Sequence, residues 1–145
     1  MSTFRKIAVM ALLAGSLSAW AQTAATIDVY KSPTCGCCAK WIEHVQKAGF
    51  KVEVHEVTNI PAARRTVGMP EKYASCHTAK VGGYAIEGHV PAADVQKLLK
   101  EKPKAIGIAV PSMPTGAPGM DIPNSPPYQT LLIQADASSS VFVQH

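Results

Sequence analysis

No run of lysine and arginine interleaved with aromatic residues occurs in this chain of 145 residues. The lysines are scattered, so the footprint of a nucleic-acid surface is missing. Beyond residue 21 the only basic pair is Arg64-Arg65, which suits a solvated helix face. No segment past that point approaches the roughly 20 apolar residues a bilayer span needs. The chain has no internal repeat and no strong low-complexity tract. Cysteine is scarce, at four residues, and badly distributed for stapling distant segments. Cys35, Cys37 and Cys38 fall within four positions, and Cys76 stands alone before His77. Exported proteins usually space their cysteines for disulfides. A bridge between the neighbours Cys37 and Cys38 forces a strained ring. Concentrated thiolates suit a soft metal ion or redox exchange better.

The N-terminus has the pattern of a secretory signal peptide. Arg5 and Lys6 form a basic start, Ile7 to Leu17 is apolar, and Ala19-Trp20-Ala21 offers small residues at the cleavage positions. The expectation is a signal peptide over residues 1–21, a chain beginning at Gln22, and export to the periplasm. A membrane anchor is the competing reading, disfavoured by the shortness of the apolar run. Residues 22–145 then form one domain with a modest core. The formal charge of +4 includes Arg5 and Lys6, leaving 4 − 2 = +2.

Ile27 to Tyr30 alternates as a short strand, and Lys31-Ser32-Pro33-Thr34 is a turn in which Thr34 is a candidate helix cap. From Cys38, Trp41, Ile42, Val45 and Ala48 recur at helical spacing up to Gly49. Lys51 to Val57 alternates as a second strand. Pro61 to Val67 is a short helix opened by Asn59 and stopped by Gly68 and Pro70. Thr78 to Ile86 reads as a third strand, residues 92–100 as a helix with Val95, Leu98 and Leu99 on its apolar face, and Ala105 to Val110 as a fourth strand. Pro111 to Pro127 is a mobile-looking Pro/Gly-rich loop carrying Met113 and Met120. Tyr128 to Gln134 and Val141 to Val143 form a closing hairpin.

This alternation argues for an α/β layer structure. A strand running into Cys35-x-x-Cys38 at a helix start is the thioredoxin-like signature. The expected fold is therefore thioredoxin-like, with a Pro/Gly-rich loop and a C-terminal β-hairpin. By analogy with that fold, Cys76-His77 takes the place of the residue and cis-proline that pack against the CxxC.

Cys35-Gly-Cys-Cys38, Ser75-Cys-His-Thr-Ala79, Glu87-Gly-His-Val-Pro91 and the Val110 to Met120 segment together resemble the CopG-type copper-resistance proteins, small periplasmic metal-binding proteins. The resemblance covers roughly residues 26–145 with no departure at the cysteines. It implies a thioredoxin-like fold, copper binding through the cysteines and a role in copper tolerance. It does not decide between storage and catalysis.

Thiolates at a helix start are favoured by unpaired N–H groups and the helix dipole, which improves them as nucleophiles and as metal ligands. Soft ligands select Cu(I). Cys37 and Cys38 leave a helix about 100° apart, so bridging of several Cu(I) ions by shared thiolates is favoured over one tetrahedral ion. Zinc and silver remain open, as do structural disulfides and dithiol exchange. The expected ligands are Cys35, Cys37, Cys38 and Cys76. His77 is a further candidate, as ligand, proton acceptor or loop support. Met113 and Met120 are candidate thioether ligands or lid residues, with Met69 a weaker one. His44, His55 and His89 rank lower, although His89 lies in a motif of the resemblance. Trp41 and Tyr73 belong in the core or near the site. Two functions of different class follow. One is a carrier that holds Cu(I) and exchanges it with other periplasmic copper-handling proteins. The other is an oxidoreductase acting on copper or on disulfides.

Overall fold

The computed structural model describes residues 25–145, and the expected signal peptide over residues 1–21 lies outside the described residues. The elements run β1 (Thr26–Lys31), α1 (Gly36–Lys47), β2 (Lys51–Glu56), α2 (Ile60–Val67), a 3₁₀ turn (Glu71–Tyr73), β3 (His77–Val81), β4 (Tyr84–Glu87), α3 (Ala92–Glu101), β5 (Gly107–Ala109), β6 (Gln129–Ile133) and β7 (Ser139–Gln144). The strands form one mixed seven-stranded sheet in the order β2-β1-β3-β4-β5-β6-β7. β1 is parallel to β2 and antiparallel to β3, and β4 is parallel to β5. Among the described residues no helix is long and apolar enough to cross a membrane.

Strand periodicity divides the interior into two cores. Side chains alternate across a sheet, so Ile27, Val29, Ala79, Val81, Ile86 and Ile108 share one core with Trp41, Ile42 and Val45 of α1 and Val95 and Leu98 of α3. Ala85, Ala109 and Ile133 join Met69 and Tyr73 in a second core. The same alternation puts His77 on the α1 side with Ala79, and Glu87 on the opposite side with Ala85. Met69 is therefore core filling.

α1 buries Cys38, Trp41, Ile42 and Val45, the i, i+3, i+4, i+7 stripe of an amphipathic helix. Its N-cap is Cys35, with no side-chain cap, while the Thr34 hydroxyl pairs with Ser32. Thr34 is thus a turn residue and not the expected cap. Asn59 does cap α2, accepting the Ala62 N–H at 3.0 Å, and Gly68 closes it in the left-handed region.

Three expectations are corrected. The segment Thr78–Ile86 is a hairpin, not one strand. Gly82 and Gly83 both have positive φ, 56° and 86°, which lets two residues reverse the chain between β3 and β4. Arg64 is buried rather than solvated, at 2% exposure, and only Arg65 faces water. The Pro111–Pro127 segment is tied down rather than loose. Ala117 is buried in the first core, and turns link Ala117 to Pro114 and Ile122 to Thr115.

Gly119 is the tightest point of that segment. Its φ is +87°, and a Cβ there meets the Cys37 carbonyl and the Trp41 amide nitrogen, each at 2.9 Å. Both contacts are backbone of α1. Gly119→Ala is therefore expected to cost about 1–3 kcal/mol, combining left-handed strain with the displaced loop. Chemical denaturation checks this.

Candidate metal centre

The site lies where β1, α1, β3 and the β4–α3 turn meet. The turn after β1 delivers Cys35 to the start of α1, and the first helical turn carries Cys37 and Cys38. Cys76 directly precedes β3, whose register pairs His77 with Lys31 at the end of β1. His89 lies in the turn between β4 and α3. Residues 38 positions apart are thus brought together, with Cys38 Sγ and Cys76 Sγ 3.5 Å apart.

Cys35 and Cys38 are joined by a disulfide, while Cys37 and Cys76 are free. Cys37 Sγ lies 3.5 Å from Cys35 Sγ. Each free thiol therefore flanks one end of the disulfide. The bridge thus closes the CxxC itself. Ligand atoms of Cys35, Cys37, Cys38 and Cys76 all lie within 4.8 Å of one another. The turn of about 100° per residue does not carry Cys37 out of reach, because the group straddles the end of the helix.

A second donor set shares two of these cysteines. Cys38, Cys76, His77 and His89 likewise place ligand atoms within 4.8 Å of one another. Cys76 Sγ is 2.9 Å from His89 Nε2 and 3.5 Å from His77 Nδ1. His77 is fully buried against Trp41, ring centroids 4.4 Å apart, and meets the edge of His89 at 5.1 Å. His77 Nε2 is buried without a hydrogen-bond partner.

The tautomer of His89 follows from its contacts. Its Nδ1 lies 2.7 Å from the Pro118 carbonyl, which only accepts, so Nδ1 carries the proton. Nε2 then presents its lone pair to Cys76. A ligating histidine characteristically donates its other N–H in this way. The Pro/Gly segment thus orients His89 through Pro118 while Gly119 rests on α1.

Electrostatics favour neutral imidazoles. Burial, reinforced by His89, pushes His77 down to about 3. Burial also lowers His89, against the Pro118 carbonyl and Asp121. Both rings are therefore neutral, each with one nitrogen lone pair to donate at neutral pH. Burial pushes the Cys76 thiol up to about 12, with Cys37 adding to it. Without a cation beside it, Cys76 keeps its proton and hydrogen-bonds to His89.

The methionines divide. Met113 is 48% exposed and borders an open hollow of about 330 Å³ with Ala74, Ser75, Cys76 and Ser112. Met120 is half-buried, near the end of the Pro/Gly segment. His44 instead accepts the Ala92 N–H at 3.0 Å and ties α1 to α3. His55 pairs with Asp28 at 3.0 Å on the β1–β2 pair. His89 was ranked below His77 in the sequence. Its signal was the Glu87 to Pro91 motif, in which Gly88 (φ +72°) turns the chain back toward Cys76.

Residues 73–120 match a family described as a protein of unknown function, DUF411. Two solved structures, copper resistance protein CopG in Form 2 and Form 1, are each 39% identical to this chain, with TM-scores of 0.80 and 0.79. Both cover 85% of this chain, and the matches span 99% and 98% of theirs. No curated protein matches the chain.

Proposed function

The chain belongs to the CopG copper-resistance family, and from that premise we propose that it holds Cu(I) in a polynuclear thiolate cluster built on Cys35, Cys37, Cys38 and Cys76. The observation that carries this reading is the convergence of four sulfurs, and of two buried imidazoles with two of them, each set with its ligand atoms within 4.8 Å of one another. The donor set fits the ion. Thiolates and imidazoles suit copper, whereas hard cations call for carboxylate and carbonyl oxygen. His77 Nδ1, 3.5 Å from Cys76 Sγ, is the ring nitrogen that faces the sulfurs.

His77 and His89 supply neutral nitrogen donors beside the sulfurs. Met113 stands at the open hollow next to Cys76, where an exposed thioether can meet an incoming ion. Met120 remains a candidate lid residue. Met113→Ala is expected to slow copper uptake while changing stability by no more than about 0.5 kcal/mol, because the side chain is largely exposed. Stopped-flow loading and a thermal melt check the two halves.

Use of all four cysteines requires the Cys35–Cys38 disulfide to open. That step takes two electrons and two protons, supplied by an external dithiol. Loading is therefore expected to differ between the two forms, with tight Cu(I) binding in the reduced protein and weak binding in the disulfide form. A competition titration against a chromophoric Cu(I) chelator tests this. Equal affinities refute the four-thiolate reading.

The frame is read as thioredoxin-like on the order β2-β1-β3-β4, with β1 and β2 parallel and β3 antiparallel to both neighbours. The proposed location is the periplasm, reached through the signal peptide expected at residues 1–21. Proposed partners are copper ions and other periplasmic copper-handling proteins. No nucleic acid enters this reading, and no membrane attachment follows signal removal.

One observation favours a second reading. Both ends of the Cys35–Cys38 disulfide lie 3.5 Å from a free thiol, which suits an oxidoreductase. Two Cu(I) ions giving up one electron each match the two electrons the disulfide accepts. Turnover with an electron partner separates this from a carrier, which releases as much copper as it takes up and no more.

A further inference from the structure

Ser75 and Cys76 lie just before the sheet ladder, which takes up the chain at His77. Cys76, one of the two cysteines shared by both donor sets, therefore sits on a segment that β pairing does not hold. What holds it comes from the opposite face of the sheet. Arg64 of α2 and Glu87 at the end of β4 are 2% and 0% exposed and form an ion pair, Nε to Oε1 at 2.9 Å. Glu87 Oε1 also accepts the Ser75 N–H at 2.7 Å, and Arg64 Nη2 donates to the Ser75 carbonyl at 2.8 Å. One ion pair thus engages both backbone groups of the residue next to Cys76. Arg64 Nη1 reaches Glu71 at 2.8 Å, so all three guanidinium nitrogens have partners. The Ser75 hydroxyl donates to the Ser112 carbonyl, and the Ser112 N–H donates to Ala74, which ties the Pro/Gly segment to the same point.

Stability alone does not explain this pair. A buried ion pair is often no more stabilising than well-packed apolar residues of the same size. The rigid fork of arginine, by contrast, sets several directions at once, which a lysine ammonium does not. We propose that Arg64 and Glu87 are positioning residues for the metal centre: their ion pair clamps Ser75 and thereby sets where Cys76 Sγ stands against Cys38, His77 and His89. The proposal deepens the copper reading and rests on it for its purpose. The clamp itself is testable without copper.

The experiment compares three variants with the parent: Arg64→Lys, Glu87→Gln, and the double change Arg64→Met with Glu87→Leu, which leaves no orphaned charge. Circular dichroism and a melt establish folding. Iodoacetamide labelling of the metal-free disulfide form, read peptide by peptide by mass spectrometry, then gives separate rates for Cys76 and Cys37. The clamp predicts that Arg64→Lys and the double variant label Cys76 about tenfold faster with Cys37 unchanged, because access governs thiol reactivity. Glu87→Gln keeps an acceptor for the Ser75 N–H and is expected to label near the parent rate. In the reduced protein, the same two variants are expected to bind Cu(I) about 10–100-fold more weakly, the usual penalty for losing a group that orients a ligand. A folded Arg64→Lys that labels Cys76 at the parent rate overturns the proposal. So does a parallel rise at Cys37, which marks general loosening. If the parent binds no Cu(I), the copper reading fails, while the labelling rates still decide the clamp.

Discussion

Replacing Cys76 by serine is expected to weaken Cu(I) binding by more than ~100-fold, a loss beyond the penalty for removing groups that merely orient a ligand. Cys76 belongs to both donor sets, the four-cysteine group and the group with Cys38, His77 and His89. Serine keeps the shape of the side chain but replaces a soft donor with a hard one. Cys37 belongs only to the first set, so Cys37→Ser is expected to cost less and to lower the number of ions held more than the affinity for the first. Competition titration of the reduced proteins, with copper counted per chain, checks both. Unchanged copper content in Cys76→Ser means that the contact between residues 38 and 76 does not serve metal binding.

Trp41→Ala is expected to destabilise the protein by about 3–5 kcal/mol, the range for deleting a buried aromatic ring. For a domain of this size that is a fall in melting temperature of about 10–20 °C. The indole is fully buried in the first core, packs on His77 and donates its N–H to the Val90 carbonyl at 2.8 Å. It therefore joins α1 to the β4–α3 turn, the two segments that carry the cysteine cluster and His89. Trp41→Phe keeps the ring packing and leaves the Val90 carbonyl without its donor, for a smaller cost of about 1–3 kcal/mol. Thermal melts of both variants test this order. A loss below about 1 kcal/mol for Trp41→Ala contradicts the role of this residue as the wall behind His77.

Much of this was legible in the residues because the patterns were local. The stripe of Trp41, Ile42 and Val45, the Asn59 cap and the alternation of β1 and β2 each rest on neighbours a few positions apart. The cysteine spacing pointed to metal or redox chemistry by composition alone. Cys76 was placed beside Cys38 by fold analogy, and the structure puts them there. What failed was tertiary. Gly82-Gly83 looked like part of one strand, since a pair of glycines does not declare whether the chain continues or reverses. Arg64 looked like half of a solvated basic pair, because its partner Glu87 is 23 positions away on another element. The Pro111–Pro127 segment looked mobile from its proline and glycine content. Its anchor points, Ala117 in the core and Pro118 on His89, depend on contacts that composition does not reveal. His89 gave little signal for the same reason: its place beside Cys76 is fixed by a carbonyl 29 residues later.

The most direct test of the central claim is elemental analysis of copper per chain, on protein purified anaerobically from copper-supplemented cells. More than one copper per chain, retained through gel filtration, is the predicted result. No retained copper, with thiols that oxidise readily in pairs, contradicts the cluster and points to dithiol–disulfide chemistry.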